Sequence, residues 1–450
     1  MNLPPVVLEL LTRLKKAGYS AYAVGGCVRD SLLGLSPHDW DLCTSARTDQ
    51  MLEVFAGENI VPTGLRHGTL TVVRDHRPYE VTTYRVDGSY TDHRHPDAVT
   101  FVDRVEEDLS RRDFTVNAMA YSPDSGLKDL FGGQEDLERK IIRCVGEPGQ
   151  RFEEDALRIL RALRFASVFD FEIDPRTDEA LRRLSPTLRQ VSPERVREEL
   201  TKLLCGPGAG RILRAYPHEL AVVVPAIAPM IGYDQCNHHH LYDLWEHTVR
   251  AVEGVPADPV LRMTMLLHDT GKPEVRTTDP AGEGHYIGHQ AASARIAEST
   301  LDALRFDRER ARRIVFLVER HDMILHAQDG SPLLDRKFLL RQLNRLGEEN
   351  LRALFLIHCA DRTATGYTTA EREQCRLRER MKALDQVLSE LPCFTLKDLA
   401  VKGDDLLALG LRGKAVGEAL RMLLEAVMDG RVPNDREALL SFFSKVFLKQ

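Results

Sequence analysis

The chain has 450 residues, of which 43% are hydrophobic and 29% are charged. This is the composition of a folded globular protein and excludes a disordered or collagen-like chain, while the length predicts several packed units rather than one core. The formal net charge of −7 at pH 7 lacks the basic excess that usually marks a nucleic-acid-binding protein, so a surface of that kind would have to be local.

No segment is predicted to cross a membrane or to direct secretion. The longest nearly apolar run, 221–232, contains two prolines and is shorter than the roughly 20 residues that a membrane span needs. The N-terminal stretch carries charged residues among its apolar ones, unlike a signal peptide. The 8 cysteines are scattered singly, which is typical of reduced thiols. The sequence therefore predicts a cytoplasmic protein with no membrane partner.

The N-terminal third of the chain predicts an α+β domain, and the rest predicts helices. Short β-branched runs between Gly, Pro and Asp clusters predict strands at 22–24, 70–73, 80–84 and 99–102. From about Phe152 onward, apolar residues recur at helical spacing almost to the end. Turn-rich joints are predicted at 147–149, 205–208 and 225–237.

A glycine pair follows the first predicted strand and precedes a helix predicted at 31–35. Glycines at such a place let backbone N–H groups approach a phosphate closely, and Arg29 could add a bidentate contact. Gly26 and Arg29 are therefore candidate nucleotide-binding residues, although an ordinary turn has the same pattern.

Two aspartates, Asp39 and Asp41, are separated by one residue. In an extended strand they would face one side, while Trp40 would point into the opposite layer. Like charges that close repel each other, so the pair is typical of a site for a hard cation such as Mg²⁺, although a solvated turn is the alternative. Glu80, in another predicted strand, could supply a third carboxylate for two-metal phosphoryl transfer. These three acids are the predicted catalytic residues, with Mg²⁺ held by the two aspartates.

Arg112 belongs to a run, 111–118, that packs cationic and amide groups around a single acid. Such a set suits contacts to a triphosphate and a ribose. Arg112 is therefore a further candidate nucleotide-binding residue.

In their order and spacing these motifs resemble those of the bacterial class II tRNA nucleotidyltransferases, the CCA-adding enzymes. The motifs are Gly-Gly-x-Val-Arg-Asp (25–30), Asp-x-Asp (39–41), Glu-Val-Thr-Thr-x-Arg (80–85), Arg-Arg-Asp-Phe-Thr-Val-Asn-Ala (111–118) and Glu-Asp-x-x-Arg (154–158). The resemblance implies four domains: a polymerase-β-like palm at 1–146, followed by an all-α neck at 147–206, a body at 207–365 and a tail at 366–450 that grip tRNA. The activity it implies is the template-independent addition of C, C and A to the 3′ end of tRNA from CTP and ATP.

The resemblance assigns base selection to a helix predicted at 153–166. Asp155 and Arg158 are three residues apart and would project from one face of this helix. Cytosine and adenine both present an amino donor beside a ring-nitrogen acceptor, so a carboxylate and a guanidinium could bind either base. Guanine or uracil would leave two acceptors facing each other, at a cost of about 1–3 kcal/mol. Arg161 and Arg164 extend this candidate set, although an ordinary amphipathic helix has the same spacing.

Two further segments bear on the interaction with tRNA. The polar segment 86–97 predicts a flexible loop. A corresponding loop is shortened in family members that add only CC, so its presence here favours addition of the full CCA. The arginine-rich segment 305–313 is a candidate for a basic surface that binds tRNA.

Histidines are concentrated between residues 238 and 358, which hold ten of the 16. His268-Asp269 follows an apolar run and, with a histidine upstream and an aspartate downstream, resembles the H…HD…D arrangement of HD-domain phosphohydrolases. The metal ligands that this resemblance implies are His247, His268, Asp269 and Asp361. Imidazoles and carboxylates together suit a transition metal that activates water. A domain kept only for packing is the alternative.

Two other histidines, His289 and His321, match positions at which some HD enzymes bind a second metal. The HD body is predicted to hydrolyse phosphate at damaged RNA ends, which would restore the 3′-hydroxyl that the palm requires.

Two other functions fit part of this pattern. A bacterial poly(A) polymerase shares the palm motifs but usually has a basic C-terminal extension, whereas residues 401–450 hold eight Lys plus Arg against seven Asp plus Glu. An HD phosphohydrolase that used its palm only to bind RNA would have no need of the three acids predicted as catalytic.

Overall fold

The computed structural model describes residues 1–61, 64, 68–88, 99–238, 240–323, 335–390 and 393–447. The chain divides into two compact units: the first is Met1–Ala228 with Asp302–Phe306, and the second is Pro229–Leu301 with Asp307–Gln450. Among the described residues, no helix is both long and apolar enough to span a bilayer. The division into four domains is finer than these units and stays a prediction.

The first unit is built on a mixed seven-stranded sheet with two short ribbons beside it. Its strands are β1 (Ala21–Val24), β2 (Asp41–Thr44), β3 (Asn59–Val61), β4 (Thr69–Arg74), β5 (Arg77–Thr83), β6 (Arg85–Asp87), β7 (Val99–Phe101), β8 (Met119–Ser122), β9 (Gly126–Asp129), β10 (Ile141–Ile142) and β11 (Glu172–Ile173). The order in the large sheet is β3-β4-β5-β2-β1-β8-β9. Its neighbours are antiparallel except β2 and β5, which are parallel.

All four predicted strands are present, as β1, β4, β5 and β7. β4 and β5 form a tight hairpin through Asp75 and His76, whose φ angles of 51° and 59° are those that a two-residue turn of this kind requires. The sheet buries β1 completely, whereas β5 alternates between buried and exposed side chains along most of its length. This alternation turns Glu80 outward and the flanking Tyr79 and Val81 inward.

The helices of the first unit precede, separate and follow its strands. They are α1 (Pro5–Lys16), α2 (Gly26–Leu32), α3 (Thr48–Val54), α4 (Val105–Ser110), α5 (Gly133–Arg139), α6 (Pro148–Glu154), α7 (Leu157–Phe169), α8 (Pro175–Leu184), α9 (Pro193–Leu204), α10 (Ala209–Ala215) and α11 (Pro217–Val223). α7 packs against α9, and α6 packs against α8.

Beyond residue 229, the regular elements of the described residues are helices and one small two-stranded ribbon. Its elements are α12 (Leu244–Gly254), α13 (Pro259–Leu267), α14 (Lys272–Val275), β12 (Thr277–Thr278), β13 (Gly284–His285), α15 (His289–Ala303), α16 (Arg308–Arg320), α17 (Arg336–Leu346), α18 (Glu348–Ala364), α19 (Ala370–Ser389), α20 (Gly403–Ala408), α21 (Lys414–Met428) and α22 (Arg436–Phe447). α12 packs against α13 and α18, and α13 packs against α16. The predicted α+β head followed by helices is confirmed, with the two-residue strands β11, β12 and β13 as minor exceptions.

Candidate functional site

The parallel pairing of β2 with β5 brings together two of the three predicted catalytic acids. In this register Asp41 lies directly opposite Glu80. Trp40 is buried, as predicted, and anchors the start of β2. Asp39 lies in the bend before β2, and its side chain is 75% exposed. The sheet therefore fixes two carboxylates, while the third is carried by a bend.

The electrostatics of these acids fit a bound cation. Partial desolvation raises the pKa of Asp41, and the charge of Glu80 raises it further, with a smaller contribution from Asp39; Arg112 opposes them. A divalent ion would relieve this repulsion, because hard cations bind carboxylate oxygens. Among the described residues, ligand atoms of these three acids do not all lie within 4.8 Å of one another, so the arrangement is open.

Arg112 lies against the glycine turn at the end of β1. Gly25 has a φ of 78°, which requires glycine, and a Cβ atom there would lie only 2.9 Å from Nη1 of Arg112, so the guanidinium lies close against the turn. Arg112 donates a hydrogen bond of 3.2 Å to Asp108, while its Nε is buried and has no hydrogen-bond partner. Helix α2 begins at Gly26 rather than at the predicted residue 31. Together these features suit an anionic ligand beside Asp41.

Arg29 is used within the protein more than the sequence predicts. It is buried and donates hydrogen bonds to Asn117 at 2.5 Å and to Asp30 at 2.8 Å. Its guanidinium also lies 5.1 Å and 4.7 Å from the ring centroids of Phe165 and Phe169. The side chain therefore links the glycine turn to α7, and its predicted phosphate contact stays a prediction.

Asp113 is the acid that joins the sheet to α7. It is buried and accepts hydrogen bonds of 2.9 Å and 2.7 Å from Arg161 and one of 3.1 Å from Asn117. Burial alone would raise the pKa of Asp113, but Arg161 and Asn117 hold it well below its usual range. Arg161, a candidate for nucleotide binding, is therefore anchored to the segment that follows α4.

The prediction of a continuous helix over 153–166 is wrong. Helix α6 ends at Glu154, Asp155 has extended backbone angles (φ −144°, ψ 104°), and α7 begins at Leu157. The physical reason is that Asp155 caps α7: its Oδ1 accepts a hydrogen bond of 3.0 Å from the backbone N–H of Leu157. Asp155 and Arg158 therefore do not share a helical face, although the backbone N–H of Arg158 donates to the carbonyl of Asp155 at 2.9 Å and keeps both in one turn.

Three further candidates for nucleotide binding, Asp155, Arg158 and Arg164, each have a protein partner. Arg158 pairs with Glu154 and donates 3.0 Å and 3.3 Å hydrogen bonds to the carbonyls of Arg151 and Arg111. Arg164 lies 2.5 Å from Glu199 and 3.7 Å above the ring of Phe165. Asp155 is bound by Arg195, as described further below.

Sequence reasoning missed two residues of α9, Arg195 and Glu199. They are four residues apart and therefore lie on one face of that helix, which packs against α7. This spacing alone is too common to single them out; their partners become visible only when the two helices are packed. The predicted loop 86–97 lies largely outside the described residues, which omit 89–98.

The second unit brings together the four predicted HD ligands. His247 is on α12, His268 and Asp269 follow α13, and Asp361 is on α18. The Nε2 atom of His247 lies 3.2 Å from Nε2 of His268 and 3.1 Å from Oδ1 of Asp361. Oδ2 of Asp269 lies 3.3 Å from each of these two histidine nitrogens.

His289 and His321 form a second cluster on the other oxygen of the same aspartate. Their Nε2 atoms are 3.2 Å apart and lie 3.5 Å and 3.6 Å from Oδ1 of Asp269. The Asp269 carboxylate therefore lies between two sets of ligand atoms. Lys272 is buried with its Nζ 2.7 Å from Oδ2 of Asp269.

The hydrogen bonds behind these rings show which nitrogen faces inward. The Nδ1 atoms of His268, His289 and His321 lie 2.7 Å, 2.8 Å and 2.6 Å from backbone carbonyl oxygens. A carbonyl can only accept, so Nδ1 carries the proton and a neutral ring turns the Nε2 lone pair toward the cluster. Two such lone pairs face each other at 3.2 Å between His289 and His321, which calls for a cation.

The charges of the neighbouring carboxylates also favour a cation in this cluster. Burial alone would lower the pKa of the His268 imidazole, but Asp269 and Asp361 raise it to about 10. The two carboxylates therefore favour a positive charge at this place, which a bound metal ion would supply. Imidazole and carboxylate ligands of this kind fit a transition-metal ion.

A cleft of about 730 Å³ opens onto both clusters. Lys272 and Arg362 supply cationic groups to its lining, and Tyr286 and Tyr367 supply rings. Of the triplet 238–240, His239 lies outside the described residues, whereas the ring of His240 packs edge-on against that of His247 at 5.0 Å. The cleft therefore has groups that can bind a phosphate ester beside the candidate metal ligands.

A mixed sheet that presents acids from parallel neighbouring strands, beside a glycine turn and an arginine, defines a nucleotidyltransferase of the polymerase-β-like class. Three family models match the chain. They are the "Poly A polymerase head domain" at residues 21–143, the RNA and SrmB binding site of polymerase A at 170–218, and the tRNA nucleotidyltransferase domain 2 at 293–443.

Full-length relatives give the family. The CCA-adding enzyme of Leuconostoc mesenteroides is 33% identical over 435 residues, covering 96% of this chain and 94% of that one. The CCA-adding enzyme of Levilactobacillus brevis is 34% identical over 433 residues, covering 96% and 95%. The crystal structure of the Bacillus stearothermophilus CCA-adding enzyme in complex with CTP superposes with a TM-score of 0.71 at 29% identity over 98% of both chains. The chain belongs to the family of bacterial CCA-adding enzymes, which confirms the predicted resemblance.

The Asp113 cluster gives a prediction about stability. Asp113→Asn should lower the free energy of unfolding by about 3 kcal/mol at pH 7, because Arg161 is left without its buried charged partner. The folded pKa of Asp113 is depressed, so its contribution is present above the unfolded pKa, near 3.9, and is lost as the pH falls further. Urea unfolding at pH 7 and near pH 3 measures both effects.

The matched control is Asp124→Asn, which removes an ion pair with Lys15 in which the aspartate is 75% exposed. Its cost should stay below about 1 kcal/mol. An equal loss in the two variants at pH 7 would show that Asp113 is not the link between sheet and helix.

Proposed function

We propose that this chain adds C, C and A stepwise to the 3′ end of tRNA from CTP and ATP, without a nucleic-acid template. The observation that carries the proposal is the register of β2 and β5, which sets Asp41 against Glu80 beside the glycine turn and Arg112. Full-length relatives that are CCA-adding enzymes support it, as does the similar structure bound to CTP. They favour it over the poly(A) polymerase alternative. Since tRNA is the proposed substrate, we place the reaction in the cytoplasm.

In the proposed reaction the 3′-hydroxyl oxygen of tRNA attacks the α-phosphorus of the nucleotide, and pyrophosphate leaves. Asp39 and Asp41 would hold Mg²⁺ with Glu80 as the third acid; when bound, the ion neutralises charge on the phosphoryl oxygens. Glu80 or Asp41 would accept the hydroxyl proton.

The groups around these acids would bind the triphosphate. Gly26 begins α2 directly after this turn and would bind a phosphate through its backbone, and Arg112, whose guanidinium lies against the turn, has an unpartnered Nε. Arg29, Arg161 and Arg164 would shape the site through their ties to Asn117, Asp113 and Glu199.

Base selection is proposed for the turn between α6 and α7. Asp155 would accept a hydrogen bond from the amino group of cytosine or adenine, and Arg158 would donate to the adjacent ring nitrogen. Helical segments 147–206, 207–365 and 366–450 are proposed as the neck, body and tail that bind tRNA. Arginines of 305–313 are candidates for that surface.

Removing either aspartate tests the proposed chemistry. Asp41→Asn and Asp39→Asn should each lower the rate of nucleotide transfer by at least about a hundredfold, since the charge that holds Mg²⁺ is lost. The dissociation constant for tRNA should change little. Single-turnover extension of a tRNA lacking its terminus measures the rate, and a gel-shift titration measures binding.

Asp75→Asn is the control, since it removes an exposed acid from the β4–β5 turn, where asparagine tolerates the positive φ. Substantial residual transfer in both catalytic variants, or a parallel loss in the control, would refute the roles of Asp39 and Asp41.

We propose a second activity, the metal-dependent hydrolysis of phosphate at RNA 3′ ends. The observation that favours it is the pair of ligand clusters on the two oxygens of Asp269, at the floor of a cleft that holds Lys272 and Arg362. Water would attack the phosphorus of a 2′,3′-cyclic phosphate, one ring P–O bond would break, and the leaving oxygen would take up a proton. His247, His268, Asp269 and Asp361 would hold a transition-metal ion, which would supply a Lewis acid for this chemistry.

The two sites would then act in sequence on one substrate. A tRNA that ends in a cyclic phosphate or a 3′-phosphate lacks the hydroxyl nucleophile that the palm needs. Complete hydrolysis gives a free 3′-hydroxyl and inorganic phosphate, which gives a physical reason for one chain to carry both sites.

His268→Ala and Asp269→Ala should each abolish hydrolysis of 2′,3′-cyclic AMP in Mn²⁺, Co²⁺, Ni²⁺ or Zn²⁺, because each removes an inward-facing ligand. Bound metal, measured by mass spectrometry after dialysis, should fall in step, while CCA addition persists. His218→Ala, at an exposed histidine of the first unit, is the matched control.

No hydrolysis by the unaltered protein with any of these metals would overturn the second activity. So would variants of His268 and Asp269 that retain the full rate. The clusters would then serve packing only.

A further inference from the structure

The lone pairs of the Asp155 carboxylate are almost fully used by protein donors. Oδ1 accepts from the backbone N–H of Leu157 at 3.0 Å and from Nη1 of Arg195 at 3.2 Å. Oδ2 accepts from Nη2 of Arg195 at 2.6 Å. Since each carboxylate oxygen has two acceptor positions, these bonds fill Oδ1 and leave one position on Oδ2.

We propose that Arg195 is a specificity-determining residue of nucleotide addition, which acts by positioning Asp155 without touching the base. The bidentate contact of Arg195 fixes the plane of the Asp155 carboxylate. It would thereby direct the one remaining acceptor position of Oδ2 toward the amino group of the incoming cytosine or adenine. The inference rests on the proposed function, in which Asp155 reads the base.

The helix that carries Arg195 is well placed to hold the reading turn. α9 packs against α7 and also presents Glu199, which is buried and lies 2.5 Å from Arg164. Contacts from one face of α9 therefore fix both Asp155, which precedes α7, and Arg164, which lies within α7. Arg158 is restrained separately, by Glu154 and by two backbone carbonyls.

Such restraint affects selectivity more than affinity. A carboxylate that is fixed in orientation accepts from an amino group and repels a carbonyl at the same place, whereas one free to rotate can turn away from the carbonyl of uracil or guanine. Loss of Arg195 should therefore admit the wrong nucleotides as well as weaken the right ones.

The test compares the kcat/KM of single-nucleotide addition for CTP, ATP, UTP and GTP in full-length variants. Arg195→Met should lower the CTP-to-UTP and ATP-to-GTP ratios at least about tenfold, mainly through KM, because the orienting contact is gone. Arg195→Lys should give intermediate ratios, since it keeps one charged donor but not the fork. Arg197→Met is the matched control: Arg197 lies on the same helix but contacts the Arg305 carbonyl and Glu198.

Wild-type ratios in Arg195→Lys and Arg195→Met, even with lower overall rates, would overturn the inference and reduce Arg195 to a packing role. Thermal unfolding checks the fold, and if Arg195→Met does not fold, the ratio in Arg195→Lys decides. The variant Asp155→Asn distinguishes base reading by Asp155 from its positioning by Arg195. Unchanged kcat/KM ratios in Asp155→Asn would refute base reading by Asp155. Changed ratios in Asp155→Asn, together with unchanged ratios in the Arg195 variants, would refute only the positioning role of Arg195.

Discussion

The buried ion pair between Asp113 and Arg161 is the constraint on which the arrangement of the first unit depends. A buried carboxylate must be paired and hydrogen-bonded to remain ionised at acceptable cost. Asp113 meets this need by binding Arg161 of α7 on one side and Asn117 on the other. Asn117 in turn accepts from Arg29 beside the glycine turn. One acid therefore fixes the helix of the proposed base-reading turn relative to the sheet that carries Asp41 and Glu80, two of the proposed catalytic acids.

Much of this unit could be predicted from local patterns, because the relevant physics is local. Alternation predicts that Trp40 is buried, and β-branched runs predict four of the strands. Prediction from local patterns fails where a side chain competes with the helix backbone. The spacing predicts that Asp155 is a helical residue, but its side chain caps α7 and the helix is interrupted there. Likewise, sequence alone cannot give the pairing of Asp41 with Glu80, because register depends on which strands become neighbours.

In the second unit, too, sequence patterns predict individual residues but not how those residues are arranged. The four proposed HD ligands could be predicted from their motif, but the motif does not reveal that Asp269 directs one oxygen to His247 and His268 and the other to His289 and His321. That sharing follows from the packing of α12, α13 and α18 and from the start of α15. Arg195 is the analogous case in the first unit, since its role requires the neighbouring helix.

In the proposed reaction, protein side chains alone direct the order C, C, A. The most direct test is to incubate the purified chain with tRNA lacking its terminus, to supply each nucleotide singly and in pairs, and to sequence the products. We expect two C residues from CTP alone, a complete CCA end that is not extended further from CTP with ATP, and no extension from UTP or GTP. A poly(A) tail from ATP alone, or indifferent use of all four nucleotides, would contradict it.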